Sequence, residues 1–155
     1  MSELEREITD AFDSMCWKLN REDVGNFQAS IGLFSMQSIS GETAEETVKR
    51  ILGASAKPEF FKARSFEEMI SQFRDCIGWK GDDGAHPNRK YQSTQEYFED
   101  IDQVLDKLKV LFRDAKGGWE FSLAEGHPFY PVYWEFAFLI KGTAKTYVLI
   151  GSSSD

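Results

Sequence analysis

Residues 132–151 read Val132-Tyr133-Trp134-Glu135-Phe136-Ala137-Phe138-Leu139-Ile140-Lys141-Gly142-Thr143-Ala144-Lys145-Thr146-Tyr147-Val148-Leu149-Ile150-Gly151, and this stretch decides the fold. Apolar residues fill every position from Phe136 to Ile140 and again from Tyr147 to Ile150, with Gly142-Thr143 between them as a turn. The pattern predicts a β-hairpin of Val132 to Lys141 and Lys145 to Gly151. Turned about Gly142-Thr143, it sets Phe138 opposite Tyr147 and Phe136 opposite Leu149 on one face. The other face then carries Leu139 near Thr146, Ala137 near Val148 and Glu135 near Ile150. Both faces are largely apolar. Such strands are central in a sheet and covered on both sides, or they lend one face to an interface.

Working back from the hairpin, a loop with Pro128 and Pro131 leads to Trp119, Phe121 and Leu123, which alternate with Glu120 and Ser122 as in a strand. Before that the periodicity is helical. Tyr97, Ile101, Val104, Leu105, Leu108, Leu111 and Phe112 make one continuous face over Thr94 to Ala115, with Ser93 and Glu96 as its cap and Gly117-Gly118 as its stop. Three further helices are expected at Glu3–Leu19, Ala44–Leu52 and Phe66–Ile77. Each has a capping box: Ser2 with Glu5, Thr43 with Glu46, and Ser65 with Glu68. A short connector with Pro58 joins the last two. Val24 to Met36 fits a helical stripe (Val24, Phe27, Ile31, Phe34) and a strand alternation (Phe27, Ala29, Ile31, Leu33) equally well; the strand is the reading adopted. Residues 78–92 have three glycines, a proline and no periodicity, and long loops of this kind are often functional.

The expected fold class is therefore α+β, with a helical N-terminal two thirds packed on a small antiparallel sheet that contains the C-terminal hairpin. The 155 residues fit a single domain over 1–151, with Ser152 to Asp155 as a loose tail. Cys16 and Cys76 lie in helical patterns without CxxC spacing, which reads as two buried, reduced thiols in a cytoplasmic protein, a Cys16–Cys76 disulfide being the alternative. The acidic, amphipathic N-terminus is unlike a signal peptide, and the longest apolar run is too short to cross a bilayer, so no membrane partner is expected.

Net charge is −8. Much of it has a local cause. Glu3, Glu5 and Glu7 open the first helix, Glu42, Glu45 and Glu46 the second, and Glu96, Glu99, Asp100 and Asp102 the last. Lys49, Arg50, Lys107, Lys109, Arg113 and Lys116 close helices, and each such charge gains roughly 0.3–1 kcal/mol from the helix dipole. The acids left over are Asp82 and Asp83 in the 78–92 loop, then Glu120, Glu125 and Glu135 in the β region. The balance disfavours nucleic acid, since Arg89-Lys90 and Lys62/Arg64 are the basic clusters and no aromatic stripe accompanies them. It suits a basic protein partner.

Catalytic signatures are absent: no GxSxG, P-loop, GxGxxG or HExxH occurs. His86 and His127 each precede a proline and read as turn residues. Asp82, Asp83 and His86 lack the spacing of a zinc or EF-hand site, so no metal and no cofactor is expected. Glu135 is a carboxylate inside an aromatic strand. By alternation it shares a face with Tyr133, Ala137 and Leu139, and Glu120 and Ser122 join that face if their strand is an antiparallel neighbour. Two such carboxylates suit either acid–base chemistry or the rim of a binding surface.

The expected function is a non-catalytic acidic protein-binding module, in its specific form an immunity-type inhibitor of the kind bacteria use against a basic toxin. Its partner-binding residues are expected to be Trp79, Asp82, Asp83, Glu120, Tyr133 and Glu135, with no catalytic residues. The alternatives are a small enzyme or ligand-binding domain built on Glu120, Glu135 and the 124–131 loop, and a homo-oligomeric structural protein, a homodimer for instance, using the second apolar face of the hairpin.

Overall fold

The computed structural model describes residues 1–20 and 26–155. Among them the elements run α1 (Glu3–Leu19), β1 (Gln28–Gln37), α2 (Ala44–Leu52), β2 (Pro58–Ala63), α3 (Phe66–Ile77), α4 (Arg89–Gln92), α5 (Gln95–Leu111), β3 (Ala115–Leu123), β4 (Trp134–Gly142) and β5 (Lys145–Ser154). The five strands form one antiparallel sheet in the order β1-β5-β4-β3-β2. The protein is α+β, and the hairpin β4–β5 lies inside the sheet rather than at its edge. Among the described residues no helix is long and apolar enough to cross a membrane.

Both faces of the hairpin are covered, as two apolar faces require. Phe136, Phe138, Ile140, Tyr147 and Leu149 meet Ile8, Phe12 and Met15 of α1, Phe73 and Ile77 of α3, and Ile101, Val104 and Leu108 of α5. Ala137, Leu139, Val148 and Ile150 meet Val48 of α2, with Phe121 and the half-buried Phe129 beside them. Every large side chain so buried contributes roughly 1.5–3 kcal/mol.

α1, α2 and α3 begin and end where their periodicity and capping boxes place them, and each box closes in both directions. α5 is shorter than its apolar stripe suggests. Thr94 rather than Ser93 caps it, and it stops at Leu111 because Ala115 is already paired with Gly142 across the sheet. The hairpin turns at Thr143-Ala144, two residues of register away from the expected alignment, so that Phe138 faces Leu149 and Phe136 faces Gly151. A shift of two leaves the side chains within β4 and β5 on their expected faces, because the side-chain period of a strand is two.

Three expectations need correction. The stretch around Pro58 is not a connector but β2, an edge strand, which its irregular alternation concealed. Residues 152–154 are not a loose tail: they end β5, pair with β1, and bury Ser152 and Ser153. The 78–92 loop contains the short α4, and the Gln92 amide ties it back to the Ile77 and Trp79 carbonyls. β1 fulfils the strand reading from Gln28 onward, whereas Val24 and Gly25 lie outside the described residues.

Both sheet edges are blunted. Along β1 the Asn20 amide, at the end of α1, accepts from the Ala29 N–H at 2.7 Å and donates to its carbonyl at 3.2 Å, standing in for a neighbouring strand. β2 carries Pro58, Lys62 and a bulge between Glu59 and Lys62, and Phe60 in that bulge has φ +57. Proline, lysine and bulges are common devices against edge-to-edge pairing.

Glu5 fixes α1 to the sheet. Its carboxylate is 2% exposed, accepts from the Ser2 N–H at 2.6 Å and from Lys145 Nζ at 2.9 Å. Burial alone would raise its pKa, but the hydrogen bonds from Ser2, Ser35 and Lys145 outweigh burial and hold it at about 2. A carboxyl depressed on folding stabilises the fold above its ordinary value of 4.5, and that stability is lost as pH falls towards 2. Glu42, held by Arg50, titrates in the same window. The stability of Glu5→Gln in urea melts is therefore expected to decline less between pH 4.5 and about 2 than that of the wild type, the difference isolating Glu5 from Glu42. Separately, Leu108 is 1% exposed, and Leu108→Ala is expected to cost roughly 2–5 kcal/mol in the same assay at neutral pH, through lost contact and a cavity under the hairpin.

Candidate functional site

β3 and β4 are paired from Ala115↔Gly142 to Glu120↔Phe138 and no further, although β3 runs on to Leu123 and β4 begins at Trp134. The two strands part, leaving a cavity of about 220 Å³ between residues 120–123 and 135–137. Gln72 of α3 closes it on the helical side. His127, from the loop that joins the two strands, closes it on the other.

That loop is fastened at both ends. The Lys57 N–H donates to the Glu125 carbonyl and the Ala124 N–H to the Lys57 carbonyl, while the Val132 and Tyr133 N–H groups both donate to the Ser153 carbonyl. At Gly126, φ is +80 and an added Cβ would lie 2.5 Å from the Ala56 Cα, so the approach of the loop to residue 56 requires glycine. The next residue is His127, which this anchoring aims at the split.

The imidazole is 9% exposed. Its Nδ1 accepts a hydrogen bond from the Phe129 N–H at 3.0 Å. In the neutral ring the proton therefore sits on Nε2, which is buried, lies 3.6 Å from Glu135 Oε2 and has no hydrogen-bond partner among the described residues. Burial lowers the pKa of His127, with the charge of Glu135 opposing that effect. Protonating Nδ1 would also forfeit the Phe129 hydrogen bond. The ring is thus a neutral donor beside a carboxylate that is half exposed.

Glu120 reaches the same cavity from the other side of the sheet. The expectation that it shares a face with Glu135 is overturned by one bulge. Ala115 pairs with Gly142, but Gly117 pairs with Lys141, and this one-residue slip sets Glu120 opposite Phe138 instead of Ala137. The split brings the two carboxylates back together around its rim. Glu120 is already engaged, its Oε2 accepting from Arg64 Nε at 2.7 Å and its Oε1 from Gln72 Nε2 at 3.5 Å.

The other expected residues gather elsewhere. Tyr133 precedes β4, so strand alternation does not govern it; its ring lies on the helical face, stacked on Trp79 at 5.1 Å and on Phe27 at 6.5 Å. Asp82 lies near enough for its charge to raise the Tyr133 phenol, after burial and Asp155. Its carboxylate folds its own loop, accepting from the Gly84 and Ala85 N–H groups at 2.8 and 2.9 Å. Asp83 is exposed. The residue that sequence reasoning passed over is His127, whose Gly-His-Pro setting looked like a turn. The available signal was its place in the loop between the two carboxylate-bearing strands.

Other concavities are larger. One, about 750 Å³, lies between the end of α5 and the β4–β5 turn and is flanked by Arg113, Lys116 and Lys145. Its cations are those that the C-terminal end of a helix favours, and Lys145 is paired with Glu5. The smaller split is the stronger candidate because His127 and Glu135, whose Nε2 and Oε2 lie 3.6 Å apart, both border it. Among the described residues no three His, Cys, Asp or Glu side chains are grouped to hold a metal ion. Both cysteines are free thiols, and burial pushes Cys16 up to about 12 and Cys76 to about 11.

No protein-family model and no curated protein matches the chain. Among solved structures it is similar to citrus MAF1, with a TM-score of 0.55 over 92% of this chain and 98% of that one, at 11% identity. At that identity the likeness is one of fold.

The geometry of His127 is directly measurable. Nitrogen NMR of the imidazole is expected to show the proton on Nε2 at neutral pH and a titration below the ordinary value of 6.5. Glu135→Gln is expected to move that titration lower still, since the carboxylate favours the charged ring. An upward shift in that variant would contradict the assigned geometry.

Proposed function

We propose that the chain is a non-catalytic binding protein that receives a polar group of a basic protein partner in the split between β3 and β4, an immunity-type inhibitor of a basic toxin being the specific form of this reading. The observation that carries it is the split itself, a cavity of about 220 Å³ bordered by His127 and by the half-exposed carboxylate of Glu135. Tyr130 and Val132, 71% and 47% exposed on the same loop, supply the aromatic and apolar contact found at interface centres. The net charge of −8 speeds encounter with a basic partner, and exposed Asp83 and Glu135 contribute to that field. In this reading Trp79 and Tyr133 brace the start of β4, and Asp82 shapes its loop.

The enzyme alternative asks Glu120, Glu135 or His127 to move protons. Both oxygens of Glu120 are engaged by Arg64 and Gln72. His127 becomes a base at Nε2 only in the tautomer that gives up the Phe129 hydrogen bond. Self-association through the second hairpin face has no open surface to use, because Ala137, Leu139, Val148 and Ile150 are buried with α2 over them.

The test is to isolate the partner from the native cell and measure its association and dissociation at two salt concentrations. Glu135→Lys is expected to slow association and flatten its salt dependence. His127→Ala is expected to speed dissociation about tenfold, the equivalent of ~1.4 kcal/mol. Folded variants that both bind like the wild type would sink the proposal.

A further inference from the structure

We propose that the cavity between the end of α5 and the β4–β5 turn binds a small organic monoanion, a carboxylate carried on a short apolar body. This site is separate from the split and does not depend on it. The cavity measures about 750 Å³, inside the roughly 300–1,000 Å³ of pockets that take small molecules. Arg113 and Lys116 border it from the end of α5 and the start of β3, and Lys145 from the start of β5. In a chain of net charge −8 such a grouping reverses the prevailing sign.

The helix dipole explains why cations are favoured past the end of α5, but not why these are left unpaired beside a cavity. The Leu108, Val110 and Phe112 carbonyls already accept the N–H groups of Phe112, Arg113 and Ala115, so backbone groups close the helix end. The exposed side chains of Arg113 and Lys116 form no ion pair and no hydrogen bond among the described residues. Lys145 donates to Glu5 at 2.9 Å, and an ammonium group has two further N–H groups to give. Tyr147 adds a neutral donor. Its hydroxyl has no hydrogen-bond partner among the described residues and is not sealed from solvent. The charges of both Glu5 and Lys145 reach it, which puts it at the Lys145 end of the cavity. Burial and then Glu5 raise its pKa against the pull of Lys145, so it keeps its proton at neutral pH.

The surroundings also set the charge and shape of the ligand. Asp114 and Glu5 offset two of the three cations and leave a surplus of one positive charge. A carboxylate balances that surplus, a dianionic phosphate exceeds it, and a cation is repelled. The apolar part of the lining is the half-buried Leu111, the exposed Ala115 and Ala144, and what remains open of Phe112 and Tyr147, each 9% exposed. Those last two rings lie 5.4 Å apart in one core, so the apolar lining is continuous with the helical side of the sheet. An ion the size of acetate leaves this surface wet, whereas an attached ring removes part of it from water.

The experiment is an NMR titration of the full chain with phenylacetate, phenyl phosphate, benzylammonium and acetate as separate probes at neutral pH and matched ionic strength. The signals followed are the backbone amides of Ala115, Lys116, Ala144 and Lys145. Phenylacetate is expected to shift them saturably, with a Kd of roughly a millimolar. Acetate, which lacks the apolar body, is expected to bind about tenfold more weakly. Arg113→Gln and Lys116→Gln, both at exposed positions, are each expected to weaken phenylacetate about threefold. Tyr147→Phe keeps the ring and is expected to weaken it by a similar factor through the lost donor. Lys109→Gln removes an exposed cation of the same helix end that lies beside a different cavity, and it is expected to leave the Kd unchanged. An equal loss in Lys109→Gln would overturn the proposal, since the general field of the helix end would then suffice. So would tighter saturation by phenyl phosphate, equal saturation by acetate, or saturation by benzylammonium. No saturable response to phenylacetate by about 100 mM would overturn it as well.

Discussion

Everything else in the molecule follows from the need to bury two apolar faces of one hairpin. β4 and β5 carry large rings and aliphatic chains on one side, which take three helices to cover. The other side is smaller, with Ala137 and Val148 among its residues, and the short α2 covers much of it. Phe129 is half buried in that same layer. Hydrophobic burial thus draws the 124–133 loop back over the sheet, and His127 comes with it. The buried imidazole is a consequence of where Phe129 has to go.

The split arises at the same place. A loop that folds back between two strands cannot coexist with their full pairing, so the ladder ends at Glu120 and Phe138. The bulge at Ala115–Gly117 then determines which carboxylates meet there. Without it Glu120 would sit on the α2 side beside Glu135, two like charges on one face. With it Glu120 points to the helical side, where Arg64 and Gln72 hold it. One extra residue in β3 separates a structural carboxylate from an available one.

Much of this is legible in the sequence. The helices of residues 3–19, 44–52 and 66–77 were legible because three signals agree in each: a capping box, a period of 3.6 and a stop. The faces of β4 and β5 were legible because an even register error leaves them unchanged. β2 was not, since six residues with a bulge and an exposed Phe60 carry no alternation to detect. The end of β5 was misread because Ser152 to Ser154 look like a polar tail; pairing to β1 on one side and β4 on the other buries Ser152 and Ser153. At the site, the two glutamates were visible as charges that helix dipoles do not explain. Their placement was not, because the bulge between Ala115 and Gly117 runs into Gly117-Gly118, which resembles a helix stop in one dimension. His127 was hidden by its own proline, which makes a buried ring read as a turn.

The pairing of β1 with β5 has a consequence for how the chain is made. Gln28 lies against Ser154 and Gln37 against Lys145, so β1 cannot complete its ladder until β5 has been made. On the ribosome β1 emerges long before its neighbour exists, with an apolar face and an open ladder. α1 is already available at that moment, and its Asn20 amide can occupy the backbone of Ala29 on the side that β5 never uses. The first helix thereby shelters one flank of a half-finished sheet during synthesis, and closure of the other flank follows the emergence of β5.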